Sequence, residues 1–416
     1  QGSEIYGGLA GTFDYGPLGV ALKTNIEESF WKHFVTNRED MYGIDADILM
    51  NPRAWEASGH VSGFSDPLVE CGKCHRRYRA DHIETKDGVQ YCPEDKEVLG
   101  SPRQFNMMFK TNIGATEDPS SISYLRPETA GGMFVNFKNV VDSFHPRLPF
   151  GLAQIGKAFR NEIAPRDFIF RLREMNQMEI EYFCHPSQWE KNFEHLRGEF
   201  NLWLASIGLP KENIHEVEIA DGDRAHYSKR TIDFEFDFPI GQKELAGLAY
   251  RTDFDLKQHS EFSKVDLSYF DEETKERFIP HCIEPSIGVE RTVLAVLTSA
   301  YKEEQIGDET RVVLSFNPSI APVQIAILPL SKKEELINPA RKIMQTLKKN
   351  ARVQVDVTQS IGKRYRRQDE IGTPYCVTVD FETLVDNEVT IRDRDTMKQE
   401  RVPIKDLEEY FAKKLA

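Results

Sequence analysis

Residues 159–183 read FRNEIAPRDFIFRLREMNQMEIEYF, with four arginines and five acidic residues in 25 positions that still alternate as paired strands do. Strands over Leu152–Ile163 and Phe170–Phe183, joined through the proline-containing loop APRDFI, predict a hairpin. Period 2 places Arg160 and Glu162 on one face. It places Arg171, Arg173, Met175, Gln177 and Glu179 on a single face of the partner strand. Such a row suits a ligand with phosphates at one end and hydrogen-bonding groups elsewhere, because guanidinium meets phosphate in a planar fork. The competing reading is a solvated sheet face crossed by ion pairs, each worth little.

A second stretch supports the ligand reading. IEPSIGVERTVLAVL (283–297) predicts a strand, a Pro-Ser turn and, after Gly288, an apolar helix with Arg291 in its first turn. A cation there opposes the helix dipole and asks for an anion nearby, either Glu284 or a phosphate.

Around these segments the pattern is α+β. After the glycine-rich GGLAGTFDYGPLG, residues 17–35 carry Leu18, Leu22, Ile26, Phe30 and Phe34 at helical spacing. YGIDADILMNP (42–52) reads as a strand ending at Pro52, 186–208 as a helix, and RTIDFEFDFP, 244–256 and 279–284 as strands. The expected product is an antiparallel sheet with helices on one side. Residues 68–100 look like an insertion of short strands around a cysteine cluster, and about 186–230 like a helical one. Two prolines in SFNPSIAPVQ mark a boundary, giving a larger unit over 1–318 and a smaller α/β unit over 321–416. In the latter, PVQIAILPL, RVQVDV and YCVTVD are strands, and 332–350 and 404–415 are helices.

A chain of 416 residues suits two or more compact units. No apolar run approaches the roughly 18 residues of a membrane helix and no basic-then-apolar leader precedes it, so a soluble, intracellular, cytoplasmic protein without a membrane partner is expected. It opens at Gln1, which leaves residues ahead of it open. The net charge of −14 argues against gripping nucleic acid over the whole surface, yet from Ala321 on 18 basic residues face 15 acidic ones. Cys184, Cys282 and Cys376 are isolated and read as small apolar core residues.

Taken together, FRNE…RLREM resembles motif 2, and GVER motif 3, of the class II aminoacyl-tRNA synthetases. SEIYGGLAGTFDYGPLG, SGH (58–60), FNMMF, LRPETAGGMFVNFKN, AQIGKAFRNEI, EPSIGVER and GKRYRRQDEIGTPYCVTVD narrow the resemblance to the dimeric (α2-type) glycyl-tRNA synthetases, over nearly the whole chain. The resemblance implies joining glycine to ATP and transferring glycyl to tRNA-Gly, with Mg2+ on the phosphates and motif 1 (the 18–35 helix and the strand to Pro52) at a homodimer interface.

By similarity, Arg160 holds the α-phosphate, Arg291 the far phosphates, and Glu162 accepts from the adenine amino group. Asn161, Phe170, Arg171, Leu172, Arg173, Glu174 and Met175 complete the nucleotide side, with Glu244, Leu245, Gly288, Val289 and Glu290. Glycine has no side chain to hold, so its pocket must bind ammonium and carboxylate and exclude any Cβ. Glu128, Glu179 and Glu284 are the implied pocket acids, Gln177 and Ser286 polar supports, and Arg79 the rim; Met175, Asn176, Met178, Pro285, Ile287 and Gly288 accompany them. For Glu128 the alternative is a local ion pair within RPE.

The family usually carries phenylalanine, stacking on adenine, where this chain has Met175, and Gln-Gly-Ile-Phe where it has GGMF. Methionine still covers a base through its polarisable sulfur.

Cys71-x-x-Cys74 and Cys92 resemble a zinc knuckle whose fourth cysteine is replaced by Asp95. Asp95, His75 or His82 would close a tetrahedral zinc site; otherwise packing alone holds the loop. Lys363, Arg364, Arg366 and Arg367 are the implied tRNA contacts of an anticodon-binding domain, against a simple solvated basic helix. Two alternatives stand beside the enzyme: a non-catalytic accessory subunit, marked by loss of Arg160, Glu162 or Arg291, and a related synthetase for proline, threonine, serine or histidine.

Overall fold

The computed structural model describes residues 1–115, 118–225 and 227–415. Its centre is a seven-stranded sheet of β1 (Met41–Gly43), β2 (Phe150–Phe159), β3 (Glu174–Cys184), β4 (Ile214–Glu218), β5 (Arg230–Phe238), β6 (Gly241–Thr252) and β7 (His281–Gly288), in the order β1-β2-β3-β7-β6-β5-β4. Every pairing is antiparallel except β1 on β2.

Helices cover both faces rather than one. Met178, Ile180, Tyr182 and Cys184 of β3 join Ile283 and Ile287 of β7 in a core with α1 (Pro17–Trp31), α3 (Trp189–Ser206) and α5 (Val289–Ala300). From the opposite face, Phe183 and Cys282 pack with α2 (Ala130–Phe144) and α4 (Phe254–Ser263). The period-2 alternation is what separates them: the second set of helices covers only one end of that face, and the remainder stays open for polar side chains.

The helical spacing of 17–35 is realised as α1 continued by a π turn over Lys32–Thr36, burying Leu22, Ile26, Phe30 and Phe34 but not Leu18. Pro17 sits at its first position after Gly16, where a missing N–H costs nothing. Each fully buried phenylalanine contributes about 1.5–3 kcal/mol, and Phe30 and Phe34 both pack against Trp203.

Several boundaries differ from the sequence expectation. The strand ending at Pro52 is only Met41–Gly43, and Pro52 instead starts a short helix, Pro52–Ala57, capped by Asn51. The hairpin strands stop at Phe159 and resume at Glu174, so 160–173 is a loop and Arg160, Glu162, Arg171 and Arg173 are not strand residues. No turn forms at Pro285-Ser286: β7 runs through both, and Leu248 pairs with Pro285 from the β6 side. The 186–230 segment also supplies β4, the sheet edge, so it is not wholly helical.

The C-terminal part has its own sheet, β8 (Ile325–Pro329), β9 (Val353–Val355), β10 (Tyr375–Val379), β11 (Glu388–Asp393) and β12 (Gln399–Pro403), ordered β9-β8-β10-β11-β12. Its separate core includes α6 (Glu334–Leu347) and α8 (Leu407–Lys414). The basic run lies on α7 (Ile361–Glu370), and two antiparallel strands, β11 and β12, extend the sheet beyond the strands expected from the sequence. No helix among the described residues is long and apolar enough to cross a membrane.

Candidate active site

On the open face, alternate residues of adjoining strands converge. Gln177 and Glu179 of β3, Glu284 and Ser286 of β7, Gly247 and Ala249 of β6, and Thr231 and Asp233 of β5 line a cavity of about 300 Å³ together with Glu128, Arg160, Tyr227 and Glu244. A second cavity adjoins it, lined by Arg160, Glu162, Phe170, Arg171, Met175, Gln177, Glu244, Ser286, Gly288, Glu290 and Arg291. Arg160, Gln177, Glu244 and Ser286 belong to both. A larger cavity of about 620 Å³ between the end of α2 and residues 267–277 shares none of these side chains.

In the first cavity Glu179 accepts from the Thr129 backbone N–H at 2.9 Å, the Thr129 hydroxyl, Gln177 Nε2 at 2.9 Å and Ser286 Oγ at 2.6 Å. Because Gln177 gives its amide N–H to Glu179, its buried Oε1 is left without a partner. Glu128 faces His60 at 3.3 Å; the local ion pair within RPE does not form, since Arg126 donates instead to the carbonyls of Lys157 and Ala46. Burial alone would raise the Glu128 carboxyl, but the charge and hydrogen bond of His60 hold it down at about 2. Glu284 shows the opposite balance. Burial, aided by Glu179 and Glu128, outweighs Arg251 and pushes it up to about 8. Asp233 likewise rises to about 7, through burial and then Glu244.

In the second cavity Arg291 Nη1 donates at 3.0 Å to both the backbone and the carboxylate of Glu244, and its guanidinium lies 4.5 Å from the Phe170 ring centroid. Glu284 is therefore not its partner. Arg160 is steadied by the Pro127 carbonyl at 3.1 Å and by the Phe64 ring, and Arg171 approaches Glu162 at 3.3 Å.

Other expected site residues fall elsewhere. Met178 and Ile287 are fully buried in the core on the far face of the sheet, as period 2 demands, and Val289, the first residue of α5, is buried in the same core. Arg173 is bound to the Ala10 and Glu162 carbonyls, Asn176 to Glu27 and Glu290, and Glu174 pairs with Lys157. Arg79 is held by Asp66 at 2.7 Å and Asp81 at 2.6 Å and lines neither cavity. On α7, Arg364 is 2% exposed and donates to the carbonyls of Pro329, Asp356 and Gln359. A side chain so placed braces the domain and does not meet RNA. Arg367 is occupied by Asp356 and Arg366 approaches Glu309 at 3.4 Å, while Lys363 is exposed.

Away from the sheet, the ligand atoms of Cys71, Cys74, Cys92 and Asp95 lie within 4.8 Å of one another, with 3.7 Å between the sulfurs of Cys74 and Cys92.

The family model described as tRNA synthetase class II core domain (G, H, P, S and T) matches residues 109–300, and that of the anticodon binding domain matches 324–414. The glycine–tRNA ligase of Geobacillus thermodenitrificans is 51% identical over 441 residues, covering 100% of this chain and 94% of the relative.

The chain belongs to the glycine–tRNA ligases.

A second ligase of the family, from Acetivibrio thermocellus, is 51% identical over 99% of the chain and 94% of its own length. A prolyl-tRNA synthetase structure from Cryptosporidium parvum superposes with a TM-score of 0.66 at 15% identity, over 98% of this chain and 71% of that one, and so shares the fold. Aminoacyl-tRNA ligases of this class use ATP and Mg2+. Sequence reasoning missed Arg251 and Asp255, which form a buried bidentate pair at 2.8 Å beneath the cavity. Their only signal was the i,i+4 spacing in RTDFD.

Proposed function

We propose that the chain forms glycyl-adenylate from glycine and ATP across the two adjoining cavities, then transfers glycyl to the 3′ end of tRNA-Gly. The observation that carries this reading is the sharing of Arg160, Gln177, Glu244 and Ser286 by both cavities, which sets one guanidinium where an amino acid and a nucleotide meet. A carboxylate oxygen of glycine attacks the α-phosphorus, the bond to the bridging oxygen breaks, and pyrophosphate leaves. Arg160 holds the α-phosphate and Arg291 the distal ones, so positioning and charge stabilisation supply the acceleration. Glu162 takes the adenine amino group, with Phe170, Arg171 and Met175 around the base. Glu244 and Glu290 offer the hard carboxylate oxygens that, with phosphate, suit Mg2+, which when bound neutralises charge on the leaving pyrophosphate.

Glu128, Glu179 and Glu284 form the ammonium side of the glycine cavity, with Gln177 Oε1 as an unspent acceptor. An intruding Cβ would meet buried carboxylates that gain nothing from it.

Further parts of the reading have their own supports. Division into a catalytic unit (1–318) and an anticodon-binding unit (321–416) accords with the separate apolar cores. Zinc at Cys71, Cys74, Cys92 and Asp95 is supported by the 3.7 Å sulfur separation, since ~2.3 Å Zn–S bonds at tetrahedral angles require about 3.8 Å. A homodimer would cover the exposed Ile5, Tyr6, Leu9, Leu18 and Val20 near motif 1. Six free cysteines suit the reducing cytoplasm. Lys363 and the outer edges of Arg366 and Arg367 remain the tRNA-facing candidates on α7.

The decisive measurement is amino-acid-dependent ATP–pyrophosphate exchange with glycine, alanine and serine. Exchange with glycine alone is expected, and Arg160→Ala should abolish it while the circular dichroism spectrum is retained. Equal exchange with alanine would overturn the specificity assignment, and near-normal exchange by Arg160→Ala its phosphate role.

A further inference from the structure

His60 belongs to no substrate cavity, yet both of its ring nitrogens are engaged. Nδ1 lies 2.8 Å from Ser58 Oγ, and Nε2 lies 3.3 Å from Glu128 Oε2. The ring is fixed between Trp55, at 5.5 Å, and Phe64, at 5.4 Å, and is 9% exposed. Gly59, with φ of 83°, provides the left-handed turn that aims it.

Ser58 has two ways to serve this ring. Its hydroxyl either donates to Nδ1, leaving a neutral imidazole with its proton on Nε2, or turns to the Trp55 carbonyl at 3.4 Å and accepts from a protonated Nδ1. In both states Nε2–H points at Glu128. Neither arrangement orphans a buried group of the ring. A Ser–His–Glu series also suggests a nucleophile, but here the serine is buried, faces Nδ1 and lines neither cavity.

We propose that His60, supported by Ser58, is a positioning residue that orients Glu128 toward the ammonium of glycine. The proposal rests on the reading that Glu128 binds this ammonium. The Nε2 contact fixes the carboxylate where it lines the cavity, so the ammonium meets a charge already in place. The charged and titratable groups facing this pair are Arg160 after β2, Glu179 on β3, Arg251 on β6, Asp255 and His259 on α4, and Glu284 on β7. All are common to wild type and a His60 variant, so a ratio between the two isolates His60.

The experiment measures glycine KM and ATP KM by pyrophosphate exchange for wild type, His60→Ala, His60→Gln, Glu128→Gln and the double variant of His60→Ala with Glu128→Gln. Glutamine keeps an N–H near the Nε2 position. His60→Ala should raise glycine KM about tenfold, equivalent to one contact of about 1.4 kcal/mol, with ATP KM unmoved, and His60→Gln should restore most of the loss. In the Glu128→Gln background His60→Ala should add nothing. Unchanged glycine KM in His60→Ala, or equal losses in glycine and ATP KM, would overturn the His60 proposal. Unchanged glycine KM in Glu128→Gln alone would instead overturn the assignment of Glu128 to the ammonium. Should His60→Ala fold poorly, Ser58→Ala provides the second variant: it should raise glycine KM and leave ATP KM, and an unchanged glycine KM counts against the proposal.

Discussion

Arg251 Nη1 donates to Glu284 Oε1 at 2.8 Å, while the same guanidinium forks onto both oxygens of Asp255 and lies 3.8 Å from the Tyr227 ring centroid. One buried cation thus serves two carboxylates, and Asp255 has the better geometry. Glu284 is left undercompensated, which is why burial raises it to about 8 despite the contact.

A glycine ammonium adds the missing positive charge, so binding should ionise Glu284 and release protons near pH 7. Calorimetric titration in buffers of different ionisation enthalpy measures this, and Glu284→Gln should lose the release. The same shift fixes a stability trend. Glu284 stays protonated when folded up to about pH 8 but ionises near 4.5 when unfolded, so its contribution is whole below that and falls as pH rises to 8. Thermal melts of ligand-free protein should show this slope, and Glu284→Gln should flatten it.

Met175 lines the second cavity, proposed above for the nucleotide, beside Phe170 and Leu172 and packs against the main core. A flat ring there would cover adenine with larger area and fixed geometry. Met175→Phe should lower ATP KM about two- to fivefold, on the order of 0.5–1 kcal/mol, and leave glycine KM unchanged. No change in ATP KM would remove this residue from base contact.

The cysteine cluster shares no residue with either cavity. Purified protein should hold roughly one zinc per chain by elemental analysis. A chelator, or Cys92→Ser, should lower the melting temperature and expose 65–106 to protease while altering glycine-dependent exchange less than twofold.

Two neighbours on α7 should behave oppositely. Arg364→Ala strands the buried carbonyls of Pro329 and Asp356 and should destabilise by roughly 3 kcal/mol in urea unfolding. Lys363→Ala should leave stability unchanged and raise only the KM for tRNA, as measured by aminoacylation.

The legible parts of this protein were those written as local patterns. Helical spacing from Leu22 to Phe34 and alternation through 174–184 required no knowledge of partners, because amphipathic periodicity depends only on neighbouring residues. The alternation even held the answer to Met178, whose position between Gln177 and Glu179 sends it to the opposite face. Loop 160–173 was less legible. Its residues alternate too, yet the backbone N–H of Arg173 donates to the carbonyl of Gly11, far earlier in the chain, and no local pattern reports so distant a contact.

Family membership, most of the main strands and helices, and the supply of arginines and glutamates are readable along the chain. How the charges pair comes from folding: Arg291 with Glu244, Arg251 with Asp255 and Glu284, His60 with Glu128, and Arg364 with main-chain carbonyls. The physical reason is that a charge's role depends on which opposite charge folding brings within a few ångströms and how much water it removes, and neither is a property of sequence spacing.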